Sequence, residues 1–297
     1  MGNENTSLKS AIKHVVNYYA YFDYAPSLDE LHLFLSIKTT KQILTKILQE
    51  SIKNGEIITK NGRYALQGHR IFIEKYDGKK EISEHKMGSI SLYLSVVSKF
   101  SVIQLVGLSG SIAMRDADPD DDIDLFIITK KSRMWTARFL CFFTAMILGL
   151  RRKRNQKKAA NKVCLNLFFD ERELLVPSYK RNEYTAHEVI QMKPLINKNH
   201  TYETFLRANN WVKDYFPNVS SSSLRARCGN LNFDLGIASP ALKSRIAMTI
   251  GETIEIFLKI FQLFFINRHK TTEIITSTQL WFYPQDFEKK LKLKKLI

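Results

Sequence analysis

The chain has 297 residues, of which 44% are hydrophobic, 11% aromatic and 25% charged. That is enough apolar material for a core and excludes wholesale disorder, and 12 glycines and 7 prolines exclude collagen-like and low-complexity classes. The 45 Lys and Arg against 29 Asp and Glu leave a net charge of +16, which favours an anionic partner: nucleic acid, nucleotide or a membrane surface. At about 150 residues per domain, the length suits two or three domains. The cysteines, Cys141, Cys164 and Cys228, are widely spaced with no CxxC, so a thiolate zinc site is not expected and the usage suits a reducing compartment. The first residues, MGNENTSLKS, lack the apolar core of a signal peptide, and the expected address is the cytoplasm.

Residues 7–22 read as a helix, with Ile12, Val15, Val16, Tyr19 and Ala20 at helical spacing. Ser27 and Glu30 form a capping-box pattern before a second helix, whose apolar face is Leu28, Leu31 and Leu35. Thr40 opens a third helix that stops at Asn54-Gly55. Two short strands follow, Glu56–Lys60 and Arg63–Leu66, joined by Asn61-Gly62, a strong hairpin signal. Three helices and a tight hairpin are the order of a winged helix-turn-helix, with Lys41, Lys46 and Lys53 on the third helix and Lys60 and Arg63 on the wing. A linking helix is expected over 81–100, then strands at Val102–Val106, Ile123–Thr129 and Val163–Phe169, with Glu173–Val176 as a fourth. An apolar helix is expected over 132–150. From about 183 onward the pattern presents helices and loops, clearest at Thr185–Met192, Tyr202–Tyr215 and Ala241–Ile266, with a loop over 224–240. The aromatic-rich stretch Ala241–Ile266 is amphipathic and reads as packing on the core or as a dimer seam.

The chemistry concentrates between Gly107 and Thr129. A strand ends at Ser109-Gly110-Ser111 and a short helix begins, whose backbone N–H groups suit a phosphate. Eleven residues after Ser111 comes Asp122, then Ile123, Asp124 and an apolar strand. Strand alternation puts Asp122 and Asp124 on one face, where two carboxylates repel unless a hard divalent cation such as Mg²⁺ lies between them. Phosphate donors on one side and metal-binding carboxylates on the other make a site for phosphoryl or nucleotidyl transfer. Asp116, Asp118, Asp120 and Asp121 read as a solvated acidic loop, and Arg115 as an exposed arginine or a phosphate contact.

Gly110-Ser111, the eleven-residue step and Asp122-Ile123-Asp124-Leu125 resemble the signature of the DNA polymerase β-type nucleotidyltransferase superfamily, closest to its minimal nucleotidyltransferase domains. The resemblance covers roughly residues 100–178, and the whole chain resembles a bacterial group with a winged helix before such a domain and a helical tail after it. It implies that Gly110 and Ser111 bind the phosphates of an NTP and that Asp122 and Asp124 are catalytic and hold two Mg²⁺. A third carboxylate is expected on the neighbouring strand, where this chain has Asn166 in mid-strand, with Asp170 as the alternative third ligand. Alternation places Asn166 and Asp170 on one face. An amide ligates through its carbonyl but takes no proton.

Residues 130–162 hold eleven Lys and Arg and no acid, from Lys130 to Lys162, including Arg133, Arg138, Arg151, Arg152, Lys153, Arg154, Lys157 and Lys158. They read equally as a solvated basic loop and as a clamp for triphosphate or nucleic acid. Met134–Leu150, seventeen residues containing Arg138, is short for a membrane span, and a membrane partner is not expected. The expected architecture is α+β: a winged helix at 1–70, a connector at 71–99, a nucleotidyltransferase core at 100–180 and a helical C-terminal region at 181–297. The expected reaction moves an NMP from NTP to an acceptor (small molecule, protein or RNA) with release of pyrophosphate, and DNA is a candidate partner of the winged helix. The alternative is a non-catalytic, DNA-binding regulator that senses nucleotide.

Overall fold

The computed structural model describes residues 2–152, 159–220, 245–268, 273–282, 287–294 and 297. Cys228, the loop expected over 224–240, the start of the helix expected at Ala241, and Lys153, Arg154, Lys157 and Lys158 lie outside the described residues. The chain is α+β, with twelve α-helices and a six-stranded mixed sheet among the described residues.

The N-terminal module is α1 (Gly2–Ala20), α2 (Leu28–Leu33), α3 (Lys41–Lys53) and the hairpin β1 (Ile57–Lys60) and β2 (Arg63–Leu66). Local chemistry sets its boundaries. Ser27 accepts from the Glu30 N–H while the Glu30 side chain accepts from the Ser27 N–H, a complete capping box. Thr40 caps α3 through the Ile43 N–H at 3.3 Å. Asn61 and Gly62 both have positive φ, +53° and +71°, as a two-residue turn with the right strand twist requires. Arg63, expected on an exposed wing, points inward instead: it donates to Tyr24 Oη at 2.8 Å and Glu30 at 2.9 Å and covers the Tyr76 ring at 3.6 Å.

A short 3-10 turn (Gln67–His69) leads into α4 (Arg70–Ser89) and α5 (Ser91–Ser98), so the connector is helical well before residue 81. The core follows as β3 (Ile103–Leu108), α6 (Gly110–Met114), β4 (Ile123–Thr129), α7 (Met134–Ile147), β5 (Val163–Asp170), α8 (Glu183–Gln191), β6 (Lys193–Asn197), α9 (Thr201–Ala208), α10 (Val212–Tyr215), α11 (Arg245–Asn267), β7 (Ile274–Ile275), β8 (Gln279–Trp281) and α12 (Phe287–Leu293). The strand order is β6-β3-β4-β5-β8-β7, with β4 and β5 parallel through the α7 crossover and every other pair antiparallel. Two expectations are corrected here. The C-terminal region is not only helical, since β6, β7 and β8 supply half of the sheet. Residues 173–176 form no strand and run instead towards a 3-10 turn at Ser178–Lys180.

The sheet has two buried faces. Leu105, Phe126, Ile128, Phe169 and Trp281 face α8, α9 and the N-terminal module, in a cluster that takes in Ile12, Tyr19, Phe34 and Leu48. Val106, Leu125, Ile127, Phe168 and Leu280 face α5, α7 and α11. The N-terminal module is therefore fused to the core through shared apolar packing. His187 of α8 stacks on Tyr18 (4.1 Å between centroids) and Phe34 (4.2 Å), and His14 bonds Glu183 at 2.8 Å. Among the described residues no helix is long and apolar enough to cross a membrane, and α7 packs on the sheet.

Candidate functional site

β4 brings the two aspartates to one place. Asp122 immediately precedes the strand and Asp124 is its second residue, on the face shared with Phe126 and Ile128. β5 runs parallel beside it, with Cys164 opposite Asp124. The register shifts between Leu125 and Phe126, so β5 carries one extra residue there, and Asn166 occupies the bulge. Ligand atoms of Asp122, Asp124 and Cys164 lie within 4.8 Å of one another, a group that can hold a metal ion. Two carboxylates at such range suit a hard cation, and the thiol adds a soft donor. Burial pushes the Cys164 thiol well up, so it is protonated in the metal-free chain.

Asn166 sits against Asp124, but its amide nitrogen, not its carbonyl oxygen, meets the carboxylate. The Cys164 thiol takes the carbonyl, with 2.7 Å from sulfur to oxygen. Asp170 is not at the site. The bulge at Asn166 puts Leu167 and Phe169 on the Asp124 face and turns Phe168 and Asp170 to the other. There Asp170 accepts from the Ser132 N–H at 2.6 Å and pairs with Arg172 at 2.8 Å. Simple alternation, which put Asn166 and Asp170 on one face, fails because one inserted residue reverses every position after it.

The glycine turn abuts the same carboxylates. Ser109 N–H donates to the Asp124 carbonyl at 3.0 Å, and Gly110 has φ +67°. A Cβ on Gly110 would come within 2.7 Å of Asp124 Oδ2, so the position demands glycine twice over. Gly110 and Ser111 line the cavity at the start of α6, where a helix leaves its first N–H groups without intrahelical partners. The Ser111 hydroxyl is engaged, donating to Asp121 Oδ2 at 2.7 Å. Asp121 also accepts from the Asp118 N–H, and Asp116 is buried against Lys79 at 3.3 Å, its carboxyl pushed by burial up to about 7. Asp116 and Asp121 are thus built into a folded loop, whereas Asp118 and Asp120 are exposed as expected. Lys86, buried in α4, fastens the loop by donating to the carbonyls of Pro119 and Asp121 at 2.8 Å each.

The basic run disperses. Arg152 pairs with Asp122. Arg138 is instead drawn into the α7–α11 contact with Gln262, Lys162 holds the Gly149 carbonyl, and Arg115 is exposed outside the cavity.

Gly110, Ser111, Asp121, Asp122, Asp124, Arg152 and Asn166 line a cavity of about 480 Å³ whose other walls come from distant parts of the chain. Tyr18, Phe22 and Tyr24 of the N-terminal module close one side, and Glu188 and Gln191 of α8 another. Burial first, then the Asp122 charge, then Glu188, push the Asp124 carboxyl up to about 8, against the pull of Asn166 and Arg152. Glu188 is the residue that sequence reasoning missed. It is half-buried, its carboxylate accepts no hydrogen bond from a described residue, and burial raises its carboxyl to about 7. Nothing local marks it. It is one acid on an amphipathic helix, and only the packing of α8 over β4 turns it into the cavity. No protein family, curated protein or solved structure matches this chain, so the functional reading stands on the geometry of this cavity.

Proposed function

We propose that the chain is a Mg²⁺-dependent nucleotidyltransferase with a winged-helix module packed on its catalytic core. The observation that carries this reading is the meeting, in one cavity, of a glycine turn that opens a short helix and two carboxylates at the adjoining strand. The β3–α6–β4–α7–β5 order supports the resemblance seen in the sequence, and the three helices with a type I′-like hairpin support the winged helix.

Asp122 and Asp124 would hold the two Mg²⁺, with Asn166 third once its amide turns its oxygen inward. When bound, such ions neutralise phosphate charge and activate an attacking hydroxyl. The chain supplies the rest. The N–H groups at Gly110 and Ser111 receive the terminal phosphates of the NTP. Arg152, held on Asp122, adds positive charge beside them. Glu188 accepts the proton of the acceptor hydroxyl on a carboxylate oxygen. The acceptor oxygen then bonds the α-phosphorus, and the bond to pyrophosphate breaks. The aromatic wall of Tyr18, Phe22 and Tyr24 excludes water from that side.

One observation favours a second reading, a DNA-binding regulator that senses nucleotide without turning it over: Asn166 bonds Asp124 where a third carboxylate is expected. The exposed Lys41, Lys46 and Lys53 of α3 and Lys60 of the wing suit a phosphate backbone.

Incubation with each α-labelled NTP, Mg²⁺ and an acceptor pool tests the two. Transfer of label is expected, abolished by Asp124→Asn. Glu188→Gln is expected to slow transfer by ~10²–10⁴-fold while NTP binding persists, as for loss of a general base. NTP binding with no label transferred from any nucleotide favours the sensor.

A further inference from the structure

Away from the cavity, the described surface is apolar in one region. Eleven of its seventeen exposed large apolar side chains belong to α11 and the last turns of α7. On α11, Ile254, Phe257, Phe261 and Phe264 recur at steps of three and four, and Ile256 and Ile260 stand beside them, Phe257 and Ile260 each 65% exposed. At 3.6 residues per turn, the exposed apolar side chains from Ile250 to Phe265 spread over about half of the helix circumference. Glu252, Glu255 and Lys259 all fall outside that arc. α7, packed against α11, adds Phe143, Met146 and Ile147.

The opposite side of α11 is fully used. Glu255 accepts the N–H groups of Trp135 and Thr136 at the start of α7 (2.7 and 2.9 Å), Gln262 bonds Arg138 and the Trp135 carbonyl, and Ile266 is buried. The exposed arc is therefore not the core-facing side of a loose helix.

We infer that this face lies on an anionic lipid bilayer, with α11 and the end of α7 in the interfacial plane. Two observations select lipid over a second copy of the chain. A helix seam is a stripe of two positions per heptad, whereas this arc is twice as broad and carries mostly Phe and Ile, the pattern of a helix half-sunk in acyl chains. The charge at its borders is also cationic: Arg268 covers the Phe264 ring at 4.4 Å and Arg151 the Phe142 ring at 4.6 Å, so guanidinium groups sit directly on the aromatic surface at the end of each helix. On the flank of the arc the exposed Glu252 and Lys259 offset one another, and the chain as a whole carries +16. The face lies along a membrane and does not span it.

Co-sedimentation of the full chain with phosphatidylcholine vesicles, with and without phosphatidylglycerol, tests this. The expected result is binding that requires phosphatidylglycerol and weakens with salt. The Phe257→Ser/Phe261→Ser double variant, altered only at exposed positions, is expected to bind at least ~10-fold more weakly, because it removes two aromatic rings from the apolar area that binding buries. Arg151→Glu/Arg268→Glu is expected to lose the preference for anionic lipid. Unchanged thermal melting of both variants establishes that they fold. No binding to either vesicle overturns the inference, as does equal binding to both. So does a concentration-dependent dimer, in sedimentation equilibrium, that the Phe variant dissociates and vesicles do not.

Discussion

Asn166 and Gly110 show how closely this site is constrained by single residues. Gly110 combines a left-handed backbone with a Cβ position filled by Asp124 Oδ2. Gly110→Ala is therefore expected to lower stability by about 1–2 kcal/mol from backbone strain alone, and to displace the Asp124 carboxylate as well. Thermal melting and Mn²⁺ titration of the variant check this, and unaltered melting with unaltered metal affinity would sink it. Asn166→Asp sets a third carboxylate against Asp124. Without metal it adds repulsion in a half-buried place and is expected to lower the melting temperature. With Mg²⁺ or Mn²⁺ the order reverses, because the added charge strengthens the metal site. Calorimetric melting with and without the ion reads both signs in one variant.

Among the elements, α4 has a consequence beyond linking two modules. Its Lys79 and Lys86 hold the loop 116–121, and that loop holds Ser111 through Asp121. Lys86→Met keeps the apolar stem and removes the donors to the Pro119 and Asp121 carbonyls. A loss of about 1.5–3 kcal/mol is expected, the range for hydrogen bonds involving a charged group. Nucleotide binding should weaken too, since the loop no longer buttresses the start of α6. Denaturant unfolding and nucleotide titration measure the two effects, and lost stability with unchanged nucleotide affinity would detach α4 from the site. β5 works differently, because its bulge sets two consecutive residues, Asn166 and Leu167, on the cavity face.

At the scale of the whole molecule, the N-terminal module is a wall of the cavity rather than an appendage. Its docking includes the His14–Glu183 hydrogen bond, which holds the His14 imidazolium and raises its pKa above the ordinary 6.5. The sign follows from linkage. A raised pKa contributes stability that is complete below 6.5 and is lost as pH rises through the raised value. As pH rises above about 6.5, the melting temperature of the wild type is therefore expected to fall more steeply than that of His14→Gln. Parallel pH profiles of the two would show that this contact does not stabilise the docked module.

The sequence by itself determined what short-range chemistry controls. The Ser27 and Thr40 caps, the Asn61-Gly62 turn, the helical period of α1 and α3, and the glycine turn with its two aspartates are each written in a few neighbouring residues, and each is present at the expected place. Tertiary structure decided everything that depends on distant pairing. β6 was hidden by Pro194, which only an edge strand tolerates, and β7 and β8 are too short to show a period. The bulge that removes Asp170 from the site is a feature of the pairing between β4 and β5, strands far apart in the chain. Glu188, Tyr18 and Phe22 face the aspartates because the two halves of the chain share one apolar cluster. Caps and turns are settled by energies within a few residues, whereas the position of a side chain in a cavity is settled by which surfaces bury one another.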